Sequence, residues 1–138
     1  MRFRTTLLFL CACAVFSTLV ISACSFSASS ANISSAKMAR DQDGEQPTKT
    51  FSPDEPFYCI VELSNAPDDT TLKAVWTAVK AEGAKPNTKI DESKATGGSG
   101  QIQFNLTNKV PWPTGDYKVD LYLNDVKKPT KTLTFKVQ

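Results

Sequence analysis

The sequence predicts an all-β fold: two antiparallel sheets packed face to face in a sandwich of about seven strands, without a disulfide. Three observations lead there. From residue 48 onward apolar and polar residues alternate in short runs, turn-forming clusters separate the runs, and Cys59 is the only cysteine downstream of Cys24. Period-two patterning with one apolar face per strand is what two packed antiparallel sheets require, and an intradomain bridge needs two thiols.

Each run reads in turn. A short first strand is expected near Thr48 to Phe51. Phe57, Cys59, Val61 and Leu63 then alternate with Tyr58, Ile60 and Glu62, and the cluster from Asn65 to Asp69 breaks the run. Leu72, Ala74, Trp76 and Ala78 alternate with Lys73, Val75, Thr77 and Val79. A helix from Leu72 to Glu82 is the alternative, and the Val, Trp and Thr content favours strand. A weak strand near Lys89 to Lys94 ends at Gly97-Gly98-Ser99-Gly100. Ile102, Phe104 and Leu106 alternate with Gln101, Gln103 and Asn105. Tyr117, Val119, Leu121 and Leu123 form the penultimate run. After a turn at Asn124-Asp125, Leu133, Phe135 and Val137 form the last.

Three of these residues make the sandwich more specific. Cys59 lies on the second strand, Trp76 on the third, and Tyr117 opens the penultimate one. This resembles the immunoglobulin-like superfamily, in which a buried Trp packs near the residues that link the sheets and a corner Tyr stands two residues before the second cysteine. The resemblance gives Tyr117 the corner role and puts Val119 where the second cysteine would be. Cys59 is then unpaired, as in a disulfide-free variant nearer fibronectin type III.

Ahead of the domain the chain changes character. Arg2 and Arg4 precede an apolar run from Leu7 to Ile21, the charge-then-hydrophobe order of a secretory leader. At about 1.5 Å per residue that run spans about 22 Å as a helix, short of the ~30 Å hydrocarbon core. This weighs against the alternative of an uncleaved anchor helix. The run ends at Leu19-Val20-Ile21-Ser22-Ala23-Cys24. This resembles the lipobox of bacterial lipoproteins, and the resemblance implies cleavage between Ala23 and Cys24 and fatty acylation of Cys24. Ser25 in place of aspartate implies an outer-membrane destination where the organism has one. Residues 1–23 are thus expected as a lipoprotein signal peptide and 48–138 as the domain. Residues 24–47, rich in serine and poor in bulky apolar residues, are expected as a lipidated, flexible linker reaching ~25 to 30 Å.

Composition limits the chemistry. Among 138 residues there is no histidine, and Arg2 and Arg4 account for the formal net charge of +2, leaving the chain neutral from Cys24 onward. A neutral chain with dispersed lysines does not suit nucleic acid. Without histidine or a second downstream thiol no metal site is expected, and no cofactor motif is present. Asp41-Gln42-Asp43-Gly44-Glu45 has the opening spacing of a calcium loop, but its twelfth position is Ser52, so the stretch reads as a solvated acidic segment. Asp68-Asp69 and Asp91-Glu92 are sequence neighbours, which a strand turns to opposite faces. Cys59 reads as a core cysteine.

The aromatic residues are more suggestive of recognition. Tyr58 and Tyr122 fall on the polar phase of their strands, and Trp112 stands between Pro111 and Pro113 in a loop expected to be exposed. Tyr and Trp bring large contact area at small entropic cost. Trp112 is either a binding anchor or a cap on the end of the sandwich. The combined expectation is a non-enzymatic module anchored to a membrane through Cys24, meeting an envelope protein or polysaccharide through Trp112, Tyr58 or Tyr122. An envelope hydrolase using carboxylates and lysine, or a structural spacer, are the alternatives.

Overall fold

The structure is a computed structural model and describes residues 30–138. Signal cleavage at Ala23 and lipidation at Cys24 therefore lie outside the described residues. Eight strands follow one another: β1 (Asn32–Ala39), β2 (Thr50–Phe51), β3 (Phe57–Ser64), β4 (Thr71–Ala81), β5 (Thr88–Thr96), β6 (Gly100–Leu106), β7 (Gly115–Leu123) and β8 (Lys131–Val137). They form a three-stranded sheet, β1-β3-β6, and a five-stranded sheet, β2-β8-β7-β4-β5. Every pairing is antiparallel except that of β2, which runs parallel to the last residues of β8.

The alternation read from sequence is the alternation of burial. Phe57, Cys59, Val61 and Leu63 of β3 and Leu72, Ala74, Trp76 and Ala78 of β4 face the core, joined by alternate residues of β6, β7 and β8. The segment at Leu72 is a strand, because its apolar side chains meet the opposite sheet only at period two. At one end of the sandwich Phe57 is the hub of an aromatic cluster. Its ring centroid lies 4.7 Å from Trp112, 4.8 Å from Phe135, 4.9 Å from Phe51 and 5.8 Å from Tyr117. The Tyr117 hydroxyl donates to the Pro113 carbonyl at 2.6 Å, which is the geometry of a tyrosine corner.

The expectation of a flexible linker through residue 47 is corrected from Asn32 onward. β1 lies in that stretch and pairs with β3 from Asn32↔Ser64 to Ala39↔Tyr58. A bulge between Ile33 and Ser35 lets Ile33 and Met38, an odd number of residues apart, both face the core. In a regular strand that spacing would place them on opposite faces. The turn after β1 folds back over the outer face of the small sheet. A Cβ on Gly44 would stand 2.8 Å from Lys37 Cε and 3.0 Å from Ile60 Cγ1. That cover explains why Ile60 and Ala39 are buried although they lie on the outer phase.

Positive φ recurs between the strands, and two places show what requires it. Asn124 and Asp125 both take positive φ, 53° and 56°, as the turn leaving β7 demands. Gly115 opens β7 at φ 148°, where a Cβ would meet the Lys80 carbonyl oxygen at 2.2 Å. No other residue fits there.

Candidate binding surfaces

Trp112 is 7% exposed, which corrects the expectation that its loop presents it to solvent. Its ring stacks on Phe57 at an interplanar angle of 25°. Its backbone N–H donates to the Pro53 carbonyl at 2.8 Å and its indole N–H to the Glu55 carbonyl at 3.1 Å. Arg40 holds the same loop from the other side, its Nε 2.9 Å from Glu55 Oε1 and its Nη2 2.9 Å from the Thr50 carbonyl. The indole therefore caps the sandwich and fastens residues 53–55 to it. A cleft of about 280 Å³ stays open at this pole between Pro53–Pro56 and Thr107–Trp112, with Val110 on its rim at 64% exposure.

The structure does not bring Tyr58 and Tyr122 together. Tyr58 lies on the outer face of the three-stranded sheet, paired with Ala39 and Asn105. Tyr122 lies on the outer face of the five-stranded sheet with the Lys73 ammonium 4.7 Å above its ring. The two tyrosines and Trp112 thus belong to three different surfaces.

The titratable groups are spread over the domain and tied into local structure. Burial pushes the Cys59 thiol up to about 12, so it stays protonated and unreactive at neutral pH. Asp120 is buried on the outer phase of β7, with Lys118 at 2.8 Å and the Thr132 hydroxyl as its partners. Partial desolvation pushes the Asp41 carboxyl up, but donations from the Glu45 and Gln46 amides, at 2.9 and 2.7 Å, outweigh it and hold the group below its usual range. Asp41 thus closes the turn after β1. Glu92 pairs with Lys89 along β5, and Asp91 is opposite Trp76 in the register. Among the described residues no three metal-ligating side chains gather.

A further surface was invisible in the sequence because one of its walls is β1. Along one open side of the sandwich, Ala36 to Met38 of β1 and Lys131 to Thr134 of β8 flank a groove of about 610 Å³, with Pro47, Thr48 and Lys49 at one end. Leu133 faces inward yet stays only half-buried, because neither sheet reaches across it. The groove is lined by three lysines and no carboxylate.

No protein-family model and no curated protein matches the chain. Among solved structures, an immunoglobulin-like protein from Pseudomonas aeruginosa superimposes with a TM-score of 0.50 at 14% identity, over 78% of this chain and 96% of that one. The fold is immunoglobulin-like. The chain also superimposes on part of the alkylpurine DNA glycosylase AlkC of Pseudomonas fluorescens, in a complex with DNA containing an abasic-site analogue. That match has a TM-score of 0.50 and 13% identity, over 78% of this chain and 30% of that one. At these identities the likeness is one of fold, and fold alone carries no activity.

Proposed function

We propose that the chain is a lipid-anchored, extracytoplasmic binding module: an immunoglobulin-like sandwich held at a membrane through Cys24 and presenting its surfaces to another envelope component. The observation that carries this reading is the charged and apolar leader ending in Ile21-Ser22-Ala23-Cys24. The Cys24 thiol takes a diacylglyceryl group and cleavage before it frees an amino terminus for a further acyl chain, and two or three chains hold a protein stably where one holds it weakly.

The fold sharpens how such an anchor would present the domain. β1 begins at Asn32, at the pole shared by Ser64, Thr71, Leu123 and Lys131, opposite the pole of Trp112. Eight residue steps separate Cys24 from Asn32, a reach of at most about 28 Å when fully extended. A lipid on Cys24 then keeps the first pole near the headgroups and turns the cleft beside Trp112 and Val110 away from the membrane. As a coil this tether averages only ~16 Å, shorter than the average reach that the sequence alone implied.

Binding is tested by cross-linking the tagged full chain in living cells and identifying what copurifies from detergent extract. The reading expects a discrete envelope protein or polysaccharide, retained by wild type and reduced when Val110→Asp places a charge on the rim of the distal cleft or Lys49→Glu one at the side groove. Recovery of the chain alone in every case contradicts it and leaves a spacer.

A further inference from the structure

We propose that the side groove between β1 and β8 takes an extended, acidic segment of a partner protein, which adds to the five-stranded sheet as a further strand beside β8. The inference deepens the binding-module reading by naming the surface and the chemistry of what it binds.

The five-stranded sheet has an unfinished edge at β8. β2 covers only the end of β8, pairing Thr50 with Lys136 and Phe51 with Val137. From Lys131 to Phe135 no strand of the described chain pairs with that side of β8, although β1, in the other sheet, approaches it across the groove. The direction of its free groups follows from the register. The Lys136 amide donates outward to the Lys49 carbonyl at 2.9 Å. Amides two and four residues earlier on the same strand point the same way, so Thr132 and Thr134 offer their backbone donors and acceptors to the groove. Such a row is a template for an incoming strand, with pockets beside it for alternate side chains.

The groove also has a floor and a charge. Leu133 and Ala36, both half-buried, give an incoming strand apolar surface to cover. Lys49 and Lys131 stand along it, and neither takes part in an ion pair among the described residues. Lys37 also lines the β1 side, but its ammonium lies beside Gly44 on the outer face of the small sheet, so the groove's charge rests on Lys49 and Lys131. The β5 and β6 edges differ. β5 carries Lys89, Asp91, Glu92 and Lys94, charges of both signs, of which Lys89 pairs with Glu92 and Lys94 with Asp125, and β6 carries none. Of the β5, β6 and β8 edges, only that of β8 combines open backbone, apolar floor and charge of one sign; the edge of β1 is the groove's opposite wall. Charge of one sign selects a partner of the other and repels like-charged strands.

Lysines on an edge strand can also serve merely to keep other strands away, and the experiment separates the two roles. Two short synthetic peptides, one alternating Glu with Val and one Lys with Val, are titrated against the full chain in neutral detergent, with hydrogen exchange read at Thr132 and Thr134. The Glu peptide is expected to bind and slow exchange at both amides. Lys49→Glu with Lys131→Glu is expected to weaken it about tenfold or more and to reverse the preference toward the Lys peptide. Thr134→Pro removes an outward donor without touching the ladder to β7 and is expected to abolish binding. If that variant fails to fold, the lysine pair, which is on the surface, decides. Binding of neither peptide, equal binding of both, or binding that leaves Thr132 and Thr134 unprotected overturns the proposal. Peptide binding without any cross-linked partner in cells counts against the envelope reading and not against the groove.

Discussion

At the scale of single residues, Tyr117, Trp112 and Cys59 are structural, and each role has a measurable consequence. Tyr117→Phe loses one short hydrogen bond to Pro113 and should cost about 1 kcal/mol in urea unfolding, with the fold unchanged. Trp112→Ala removes the stacking partner of Phe57 and leaves the Pro53–Glu55 loop without its indole bond. It should cost ~3 to 5 kcal/mol, read from the same unfolding curves. An equally stable variant would mean that the indole is a surface residue after all. For Cys59 the sign follows from its raised value. The folded thiol ionises near 12, whereas in the unfolded chain it ionises near its ordinary value of 9.0. Its contribution to stability is therefore complete below that ordinary value and is lost progressively as pH rises toward the folded one. Urea midpoints measured across this alkaline window should fall more steeply for wild type than for Cys59→Ala. Cys59 and Tyr117 were legible in sequence because strand phase fixes which way a side chain points. Trp112 was not, since a loop has no phase and its packing on Phe57 depends on chain closure at the pole.

At the scale of elements, strands with strict alternation were legible and β1 was not. Its sequence, Asn-Ile-Ser-Ser-Ala-Lys-Met-Ala, contains two large apolar residues at a spacing that only a bulge reconciles with one face. Its remaining burial, at Ala39, depends on the turn through Gly44 folding over the outer face. Neither feature leaves a periodic signal. The energetic consequence is testable by truncation. Fully burying Ile33 and Met38 is worth ~1.5 to 3 kcal/mol each, and a domain of this size has a net stability of only ~5 to 15 kcal/mol. A chain beginning at residue 48 also leaves the β3 edge unpaired. Circular dichroism and urea titration should show it unfolded or markedly less stable than one beginning at residue 30. Equal midpoints would return β1 to the status of a linker.

At the scale of the whole molecule, a leader legible in the sequence precedes a sandwich whose two poles are distinct. The chain enters at one pole, the aromatic cap closes the other, and the least finished surface is the side groove between β1 and β8. That groove could not be read from sequence, because one wall is the strand that alternation did not reveal and the other is an edge known only from the strand order. On the proposed reading, attachment through Cys24 would give the module a high local concentration near a membrane partner without any added contact. Everything about its place in the cell turns on Cys24. The most direct test is metabolic labelling of the full chain with a clickable fatty-acid analogue, comparing wild type with Cys24→Ala. The account predicts label on the wild-type chain, recovered in the membrane fraction, and none on the variant. Equal labelling of the two, or an unlabelled wild-type chain, would contradict it.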